Sequence, residues 1–137
     1  TLTLDMSNTY LQWADRNLSI NGLADDRNRL MQADVLAWLQ APVQEKWDLV
    51  VLDPPTFSNS KRMKGTLDIQ RDHVDLLNLV FRHMAPGGQL FFSTNFRRFK
   101  LDYDALTNVE IQDVSKKTVP EDFRNKRIHQ CFLIKTV

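Results

Sequence analysis

The sequence lacks the patterns that build disulfides, metal clusters or membrane spans. Its 137 residues include one cysteine, Cys131, which can form neither an internal disulfide nor, by itself, a metal cluster. No apolar run approaches the roughly 18 residues that a membrane span requires. The segment from Thr1 to Asp5 lacks the basic start and apolar stretch of a secretory signal. These absences predict a cytoplasmic protein in a reducing compartment, with no membrane partner.

Net charge and glycine are also scarce. Lysine and arginine total 18 against 17 acidic residues, so net charge neither favours nor excludes nucleic acid. The four glycines form no phosphate-binding loop, and no serine nucleophile motif is present. His73, His83 and His129 share no metal-ligand spacing and are interpreted as surface or helix residues, so no metal site is predicted. The length suits a single domain, residues 1–137.

Apolar runs alternate with helical patterns along the whole chain, which favours an α/β fold with a largely parallel sheet. The run within Asp48–Asp53 is continuously apolar, a pattern typical of a parallel strand covered on both faces. Strands are predicted at Thr1–Leu4, Leu30–Gln32, Asp48–Asp53, Gln89–Ser93, Val109–Val114 and Gln130–Val137. Helices are predicted from Ser7 to Asn21, around Val35–Leu39 and over Ile69–Met84, the last one ended by Pro86-Gly87-Gly88.

Three carboxylates follow predicted strands, at the sheet edge where α/β proteins bind ligands. Each of Asp5, Asp34 and Asp53 is, alone, typical of a turn or a helix cap, but their recurrence favours a ligand crevice. Asp5 could accept hydrogen bonds from ribose hydroxyls, with Met6 packing on an adenine face. Asp34 could accept from the adenine amino group, with Val35 providing apolar surface.

The loop Asp53-Pro54-Pro55-Thr56-Phe57 is the most specific motif of the chain. Two consecutive prolines fix two φ angles and remove two N–H donors, so the chain leaves the strand along a rigid path. Such a loop can present carbonyl oxygens, a carboxylate and an aromatic ring to a planar substrate in one geometry. The alternative is a purely structural turn with Phe57 in the core.

Basic residues follow this loop and the next strand at the same edge. Cations interleaved with aromatic rings suit the phosphate backbone of RNA or DNA with unstacked bases, although each cluster alone is equally compatible with a solvated surface. The predicted RNA-binding residues are Lys61, Arg62, Lys64, Arg71, Arg97 and Arg98, the last two within Asn95–Lys100; Arg124, Lys126 and Arg127 form a third cluster.

These motifs together resemble a Rossmann-like class I methyltransferase. More closely, the chain is similar to the guanine-N7 module of bifunctional 23S ribosomal RNA guanine methyltransferases of the RlmKL type. The resemblance rests on Asp5-Met6-Ser7, Gln32-Ala33-Asp34, the stretch from Asp53 to Met63, Asp68–His73, Phe92–Asn95 and the closing stretch Ile128–Ile134. It implies a mostly parallel sheet with an antiparallel closing strand, S-adenosyl-L-methionine as cofactor and 23S ribosomal RNA as partner.

The resemblance also implies roles for single residues. Asp5 would hold the ribose, Asp34 the adenine amine, and Asp53 would lie beside the methyl donor and the target base, with Phe57 stacking on that base. Guanine N7 carries no proton, so the reaction needs alignment rather than a general base. Asp53, with Pro54 and Pro55, is therefore expected to orient the guanine or the donor.

One part of the family pattern is missing from the sequence. In this family a first strand and its glycine-rich turn, which hold the methionine part of the cofactor, precede the position of Thr1. We therefore expect an N-terminally truncated fragment of a larger protein, with weak cofactor binding and self-association through an exposed sheet edge.

Three other functions remain open at this stage. A cytosine-C5 methyltransferase would need a cysteine nucleophile, and Cys131 lies in a predicted closing strand rather than at the active edge. An amino-group methyltransferase acting on RNA, DNA or protein would also use an Asp-Pro-Pro-aromatic loop. The third alternative is an inactive fragment that binds RNA through its basic loops.

Overall fold

The computed structural model describes residues 1–58, 66–124 and 128–137, which form two compact units, Thr1–Pro42 and Val43–Val137. The first unit consists of β1 (Leu2–Asp5), α1 (Asn8–Ile20), β2 (Arg29–Gln32) and α2 (Val35–Gln40). The second consists of β3 (Trp47–Leu52), β4 (Phe57–Ser58), β5 (Leu67–Asp68), α3 (Ile69–Arg82), β6 (Met84–Thr94), β7 (Val109–Asp113) and β8 (Gln130–Thr136).

In the first unit β1 and β2 pair in parallel, with Asp5 opposite Gln32. The hydroxyl of Ser7 accepts from the N–H of Tyr10 and caps α1, as the sequence predicts. The chain turns after α1 at Gly22, whose φ of 68° suits glycine. The parallel pairing places the ends of both strands at one end of this unit, with Asp5 as the last residue of β1 and Asp34 two residues after β2.

In the second unit the strand order is β3-β6-β8-β7. β3 and β6 are parallel, whereas β8 is antiparallel to both β6 and β7, which confirms the predicted antiparallel closing strand. The sheet is therefore mixed, and β4 and β5 form a separate short antiparallel pair. The fold is α/β, as predicted.

The core of the second unit centres on Phe92, which is 0% exposed. Its ring lies 5.6 Å from that of Phe99 and 6.2 Å from that of Phe132. Phe99 in turn contacts the His73 ring edge-on at 4.9 Å, which links α3 to the sheet. α3 contributes a buried stripe at helical spacing, formed by Ile69, His73, Leu76, Leu77 and Val80.

The prediction that β3 is covered on both faces is wrong. Leu49 is 58% and Val51 is 73% exposed, whereas Val50 and Leu52 are half-buried. Alternate side chains of a strand point to opposite faces, so Leu49 and Val51 share the uncovered one. An apolar run therefore did not guarantee two covered faces.

The predicted end of the third helix is also wrong. α3 ends at Arg82, with His83 as its C-cap, and Met84 already begins β6. Pro86-Gly87-Gly88 lies within β6, where the pairing with β3 shifts from Trp47–Met84 to Leu49–Gln89. A Cβ on Gly88 would lie 2.9 Å from the carbonyl oxygen of Ala85, so these glycines serve a strand irregularity rather than a helix end.

His73 lies in α3 and His83 is the C-cap of that helix, in agreement with their interpretation as surface or helix residues; both side chains are buried, each 3% exposed. Within the described residues, no helix is long and apolar enough to cross a membrane. The same residues contain no group of three or more His, Cys, Asp or Glu side chains that could hold a metal ion.

Candidate active site at the strand ends

The Asp53 loop begins where β3 ends and is tied to the neighbouring strand β6. Leu52 pairs with Phe92, so the next residues of the two strands, Asp53 and Ser93, lie side by side. The Ser93 hydroxyl donates a hydrogen bond of 2.7 Å to Oδ1 of Asp53. Asp53 is exposed, and among the described residues no donor contacts its Oδ2. One carboxylate oxygen is held by the protein, and the other is available to a ligand.

Two further hydrogen bonds fix the loop at Thr56, the residue after the two prolines. The Thr56 hydroxyl donates to Oδ1 of Asn95 at 2.6 Å, and the Thr56 carbonyl accepts from the N–H of Ile69 at 3.1 Å. The loop is thus attached to the end of β6 on one side and to the start of α3 on the other. With Pro54 and Pro55 fixing its φ angles, it has little freedom to rearrange.

Phe57 is not a core residue. Its side chain is 57% exposed, although its backbone pairs with that of Asp68 in the short β4–β5 ladder. An exposed aromatic ring held by strand pairing suits contact with a planar ligand. The structure therefore excludes the alternative in which Phe57 fills the core.

The basic loop after β6 presents its two arginines but not both aromatic rings. Arg97 and Arg98 are exposed, whereas Phe99 is 3% exposed and belongs to the aromatic core. Phe99 is therefore unavailable to stack on a base, which corrects the interpretation of this loop as cations interleaved with free rings. Its ring packs instead against those of Phe92 and Phe132, at 5.6 and 6.1 Å, where it loses contact with water.

Arg71 lies at the start of α3 and its charge is already engaged. Its guanidinium contacts both carboxylate oxygens of Asp72 at 2.6 and 2.7 Å and donates to the Thr66 carbonyl at 2.8 Å. The hydrogen bond to Asp72 raises the pKa of Arg71 and, in return, lowers the pKa of Asp72. The other predicted basic residues after the loop, Lys61, Arg62 and Lys64, lie outside the described residues, as do Lys126 and Arg127.

The two acidic residues of the first unit each stabilise the turn that follows their strand. Oδ1 of Asp5 accepts from the N–H of Ser7 at 2.6 Å. Oδ1 of Asp34 accepts from the N–H groups of Leu36 and Ala37 at 3.0 and 3.2 Å, which makes it the N-cap of α2. In the described part of the chain neither Oδ2 has a hydrogen-bond donor. The capping interpretation is therefore correct, and it leaves one oxygen of each carboxylate for a ligand.

Both predicted apolar neighbours of these carboxylates are half-buried, Met6 after Asp5 and Val35 after Asp34. The Gln32 side chain donates to the carbonyl of Met6 at 3.1 Å, which ties the turn after β1 to the end of β2. Each pair thus combines a carboxylate with adjacent apolar surface.

Sequence reasoning assigned no individual role to Ser93, Asn95 or His73. Ser93 and Asn95 end a strand at the edge where Asp53 lies, so their position was a usable signal. The sequence contained no signal for the role of His73, which depends on contacts of both ring nitrogens. Its Nδ1 contacts the Gln70 carbonyl at 3.0 Å, and its Nε2 accepts from the N–H of Asp102 at 3.1 Å. The second of these hydrogen bonds spans 29 residues and depends on the fold.

Cys131 lies in β8 opposite Ser93 and is 5% exposed. Burial raises the pKa of its thiol, so the reactive thiolate is disfavoured. This speaks against a cytosine-C5 reaction, which requires an accessible cysteine nucleophile.

Comparison with known proteins places these observations in a family context. Models of protein families gave no match. The chain is 52% identical over 98% of its length to the ribosomal RNA large subunit methyltransferase K/L of Allochromatium vinosum. It is 54% identical over 98% of its length to the protein of the same name from Cellvibrio japonicus. In both cases the chain spans 18% of the relative's own length.

Solved structures share the fold at low sequence identity. A SAM-dependent methyltransferase from Agrobacterium tumefaciens superposes with a TM-score of 0.72 at 14% identity, over 98% of this chain and 48% of that one. An O-methyltransferase from Bacillus cereus, in complex with SAH, gives 0.63 at 14% identity, over 99% of this chain and 61% of that one. The chain therefore has the fold of SAM-dependent methyltransferases and is homologous to a segment of the ribosomal RNA large subunit methyltransferases K/L.

Proposed function

We propose that this chain serves methyl transfer from S-adenosyl-L-methionine to N7 of a guanine in 23S ribosomal RNA. The observation that carries the proposal is the Asp53 loop, in which a fixed carboxylate and an exposed Phe57 ring stand at the end of a parallel strand. The name of the relatives, ribosomal RNA large subunit methyltransferase K/L, supports RNA as the substrate class.

The chemistry of guanine N7 fits what the loop can provide. N7 has an in-plane lone pair and no proton, so no base is required; the new N–CH3 bond forms as the sulfur–methyl bond breaks. The cofactor, when bound, supplies an electrophilic methyl group. The methylated guanine ring becomes cationic, and the Asp53 carboxylate provides negative charge where that cation develops. The rigid Pro54-Pro55 path keeps this carboxylate in one orientation.

Within the first unit, Asp5 and Asp34 are the residues that would hold the adenosine part of the cofactor. Ribose hydroxyls and the adenine amino group are donors, and each carboxylate offers an oxygen that its own turn does not use. Met6 and Val35 supply apolar surface beside them. The residue types therefore fit an adenosine ligand.

RNA binding is assigned to Arg97 and Arg98 of the loop after β6. Both side chains are exposed, and their loop leaves β6 immediately after Asn95, at the edge of the Asp53 loop. Guanidinium groups in that position can bind the phosphates that flank a base in the site.

Product analysis tests the function directly. The chain is incubated with 23S ribosomal RNA and S-adenosyl-L-methionine carrying a labelled methyl group, and the nucleosides are separated by mass spectrometry. We expect 7-methylguanosine, and we expect Asp53→Asn to reduce its yield because the cation loses its counter-charge. Asp48→Asn, the same change at the opposite end of β3, serves as the control and should leave the yield unaltered.

Other products would assign one of the alternatives. A methylated exocyclic amine would indicate an amino-group methyltransferase, and 5-methylcytidine a cytosine enzyme. RNA binding without any product would indicate a binding fragment. Full activity in Asp53→Asn would contradict the role given to its carboxylate.

A further inference from the structure

The Asn95 side chain is exposed at the end of β6, yet it is held in one orientation. Its Oδ1 accepts the 2.6 Å hydrogen bond from the Thr56 hydroxyl. The Nδ2 amino group lies on the other side of the amide. Within residues 1–58, 66–124 and 128–137, no acceptor forms a hydrogen bond with it. The ends of the adjacent strands β3 and β6 thus present a carboxylate acceptor, Asp53, and an amide donor, Asn95.

We propose that Asn95 selects guanine over adenine by donating from Nδ2 to guanine O6, an inference that rests on the proposed function. Thr56 is the positioning residue that decides which end of the amide faces the base. Neither residue takes part in bond making, so their effect is on which base is accepted.

The selectivity follows from the hydrogen-bonding edges of the two purines. Guanine presents the acceptor O6 next to the donor N1–H, so O6 can accept from the Asn95 amide and N1–H can donate to the free oxygen of Asp53. Adenine presents a donor amino group where guanine has O6, and an acceptor N1 beside it. It would set donor against donor and acceptor against acceptor, leaving polar groups unpaired. Recognition through this edge also leaves N7 unengaged.

Thr56 matters because an amide can present either its oxygen or its nitrogen with nearly the same shape. With the Thr56 hydroxyl donating to Oδ1, only the nitrogen is available to the base. The hydrogen bond from Ser93 acts in the same way on Asp53, since it occupies Oδ1 and leaves Oδ2 as the oxygen available to a base. Both recognition groups are therefore oriented before a base arrives.

Binding measurements with defined RNAs test the inference. The probes are fluorescently labelled nonanucleotides of uridine with guanosine, adenosine or 6-thioguanosine at the centre, and 6-thioguanosine differs from guanosine only in a weak acceptor at position 6. For the unaltered chain we expect binding of the guanosine RNA to be about three- to tenfold tighter than that of either other RNA, the range for one added hydrogen bond.

The variants test Asn95, the proposed donor, separately from Thr56, which orients it. Asn95→Ala should bind the guanosine and 6-thioguanosine RNAs equally, and Asn95→Asp, which offers only acceptors, should lose the preference for guanosine over adenosine. Thr56→Val should also lose the preference, whereas Thr56→Ser should retain it because the hydroxyl remains. Arg97→Ala is the matched control in the same loop and should weaken binding of all three RNAs by the same factor.

Two results would overturn the inference: an unaltered chain that shows no preference for guanosine, or an Asn95→Ala variant that still binds the guanosine RNA more tightly than the 6-thioguanosine RNA. Thermal unfolding of each variant checks that the fold is retained, which the exposure of Asn95 favours. The proposed function fails separately, since it requires 7-methylguanosine in the product assay, whereas this inference is decided by binding alone.

Discussion

The Ser93 hydroxyl and Oδ1 of Asp53 are joined by a hydrogen bond of 2.7 Å although 40 residues separate them in sequence. The bond connects the ends of two adjacent parallel strands and fixes the carboxylate on which the proposed chemistry depends. It is therefore the first interaction to test by substitution.

Replacing Ser93 with alanine should impair activity more than stability. A hydrogen bond to a charged group contributes about 1.5–3 kcal/mol, and the exposure of Asp53 favours the lower end, so we expect about a tenfold loss of methyl transfer. Ser93→Thr keeps a hydroxyl and should retain most of the activity. An alanine variant with unchanged kcat/KM would show that the bond does not orient Asp53 for catalysis.

The two exposed arginines should account for part of the salt dependence of RNA binding. For single-stranded RNA, each cation that no longer neutralises a phosphate reduces the slope of log K against log salt by about 0.7. The double variant Arg97→Ala/Arg98→Ala should therefore reduce it by about 1.4. Arg71→Ala should change it less, because that guanidinium is already bound to Asp72. Equal effects at Arg71 and Arg97 would contradict this assignment.

Alanine substitutions at two phenylalanines should affect different properties, stability in one case and RNA affinity in the other. Phe92→Ala removes a ring that is 0% exposed and should cost about 3–5 kcal/mol of unfolding free energy, measured by urea denaturation. Phe57→Ala removes a ring that is 57% exposed, so its unfolding midpoint should stay close to that of the unaltered chain. Its RNA affinity should fall, since a stacked base contributes about 1–3 kcal/mol. Unchanged RNA binding in Phe57→Ala would exclude stacking by this ring.

The Arg71–Asp72 pair should make stability depend on acid pH. The hydrogen bond from Arg71 lowers the pKa of Asp72 below its ordinary value of 3.8. Its stabilising contribution is therefore complete above that value and is lost as the pH falls through the lowered pKa. Because Arg71 is largely exposed, the contribution should be small and reduced by salt.

The comparison of Tm at about pH 7 and about pH 2 in Asp72→Asn and the unaltered chain tests this contribution. The difference between the two should be larger at the higher pH and close to zero at the lower. Asp75→Asn, a change at an exposed acid of the same helix, should show no such convergence. A gap in Tm that persists at about pH 2 would mean that Asp72 stabilises the fold by another route.

The uncovered face of β3 should promote self-association. Val51, at 73% exposed, shares this face with Leu49, and β3 is an end strand of its sheet. Val51→Lys should therefore shift sedimentation toward the monomer at high protein concentration. Ile20→Lys, at a residue 74% exposed in α1, is the control and should have a smaller effect. A monomeric unaltered chain would contradict the prediction.

Much of the fold could be predicted because its signals are local. The capping serine Ser7, the stop at Asn21–Gly22 and the carboxylates that end the strands depend on residues adjacent in sequence. The burial of Phe99 could not, because its partners Phe92 and Phe132 come from strands whose pairing the sequence does not show. The end of α3 failed because glycines next to a proline suit a strand irregularity as well as a helix end.

The same difference between local signals and long-range contacts applies to the candidate site. The residues of the Asp53 loop were identifiable as a group because their types are unusual together. Their fixed orientation was not, since it comes from Ser93 and Asn95 across 39 to 40 residues. The ion pair of Arg71 could not be predicted, because a pattern of cations does not reveal that one of them is paired with the next residue.

Gln70 closes the arginine loop from the side of α3. Its side-chain oxygen accepts from the N–H of Lys100 at 2.8 Å, and its amide donates to the Lys100 carbonyl at 3.0 Å. The first turn of α3 therefore holds the far end of the loop as a neighbouring strand would. Arg97 and Arg98 lie between this clamp and the end of β6, so most of the entropy of ordering their backbone is lost during folding. When RNA binds this loop, only the two arginine side chains need to be immobilised. The association rate should therefore not be limited by a rearrangement of the loop.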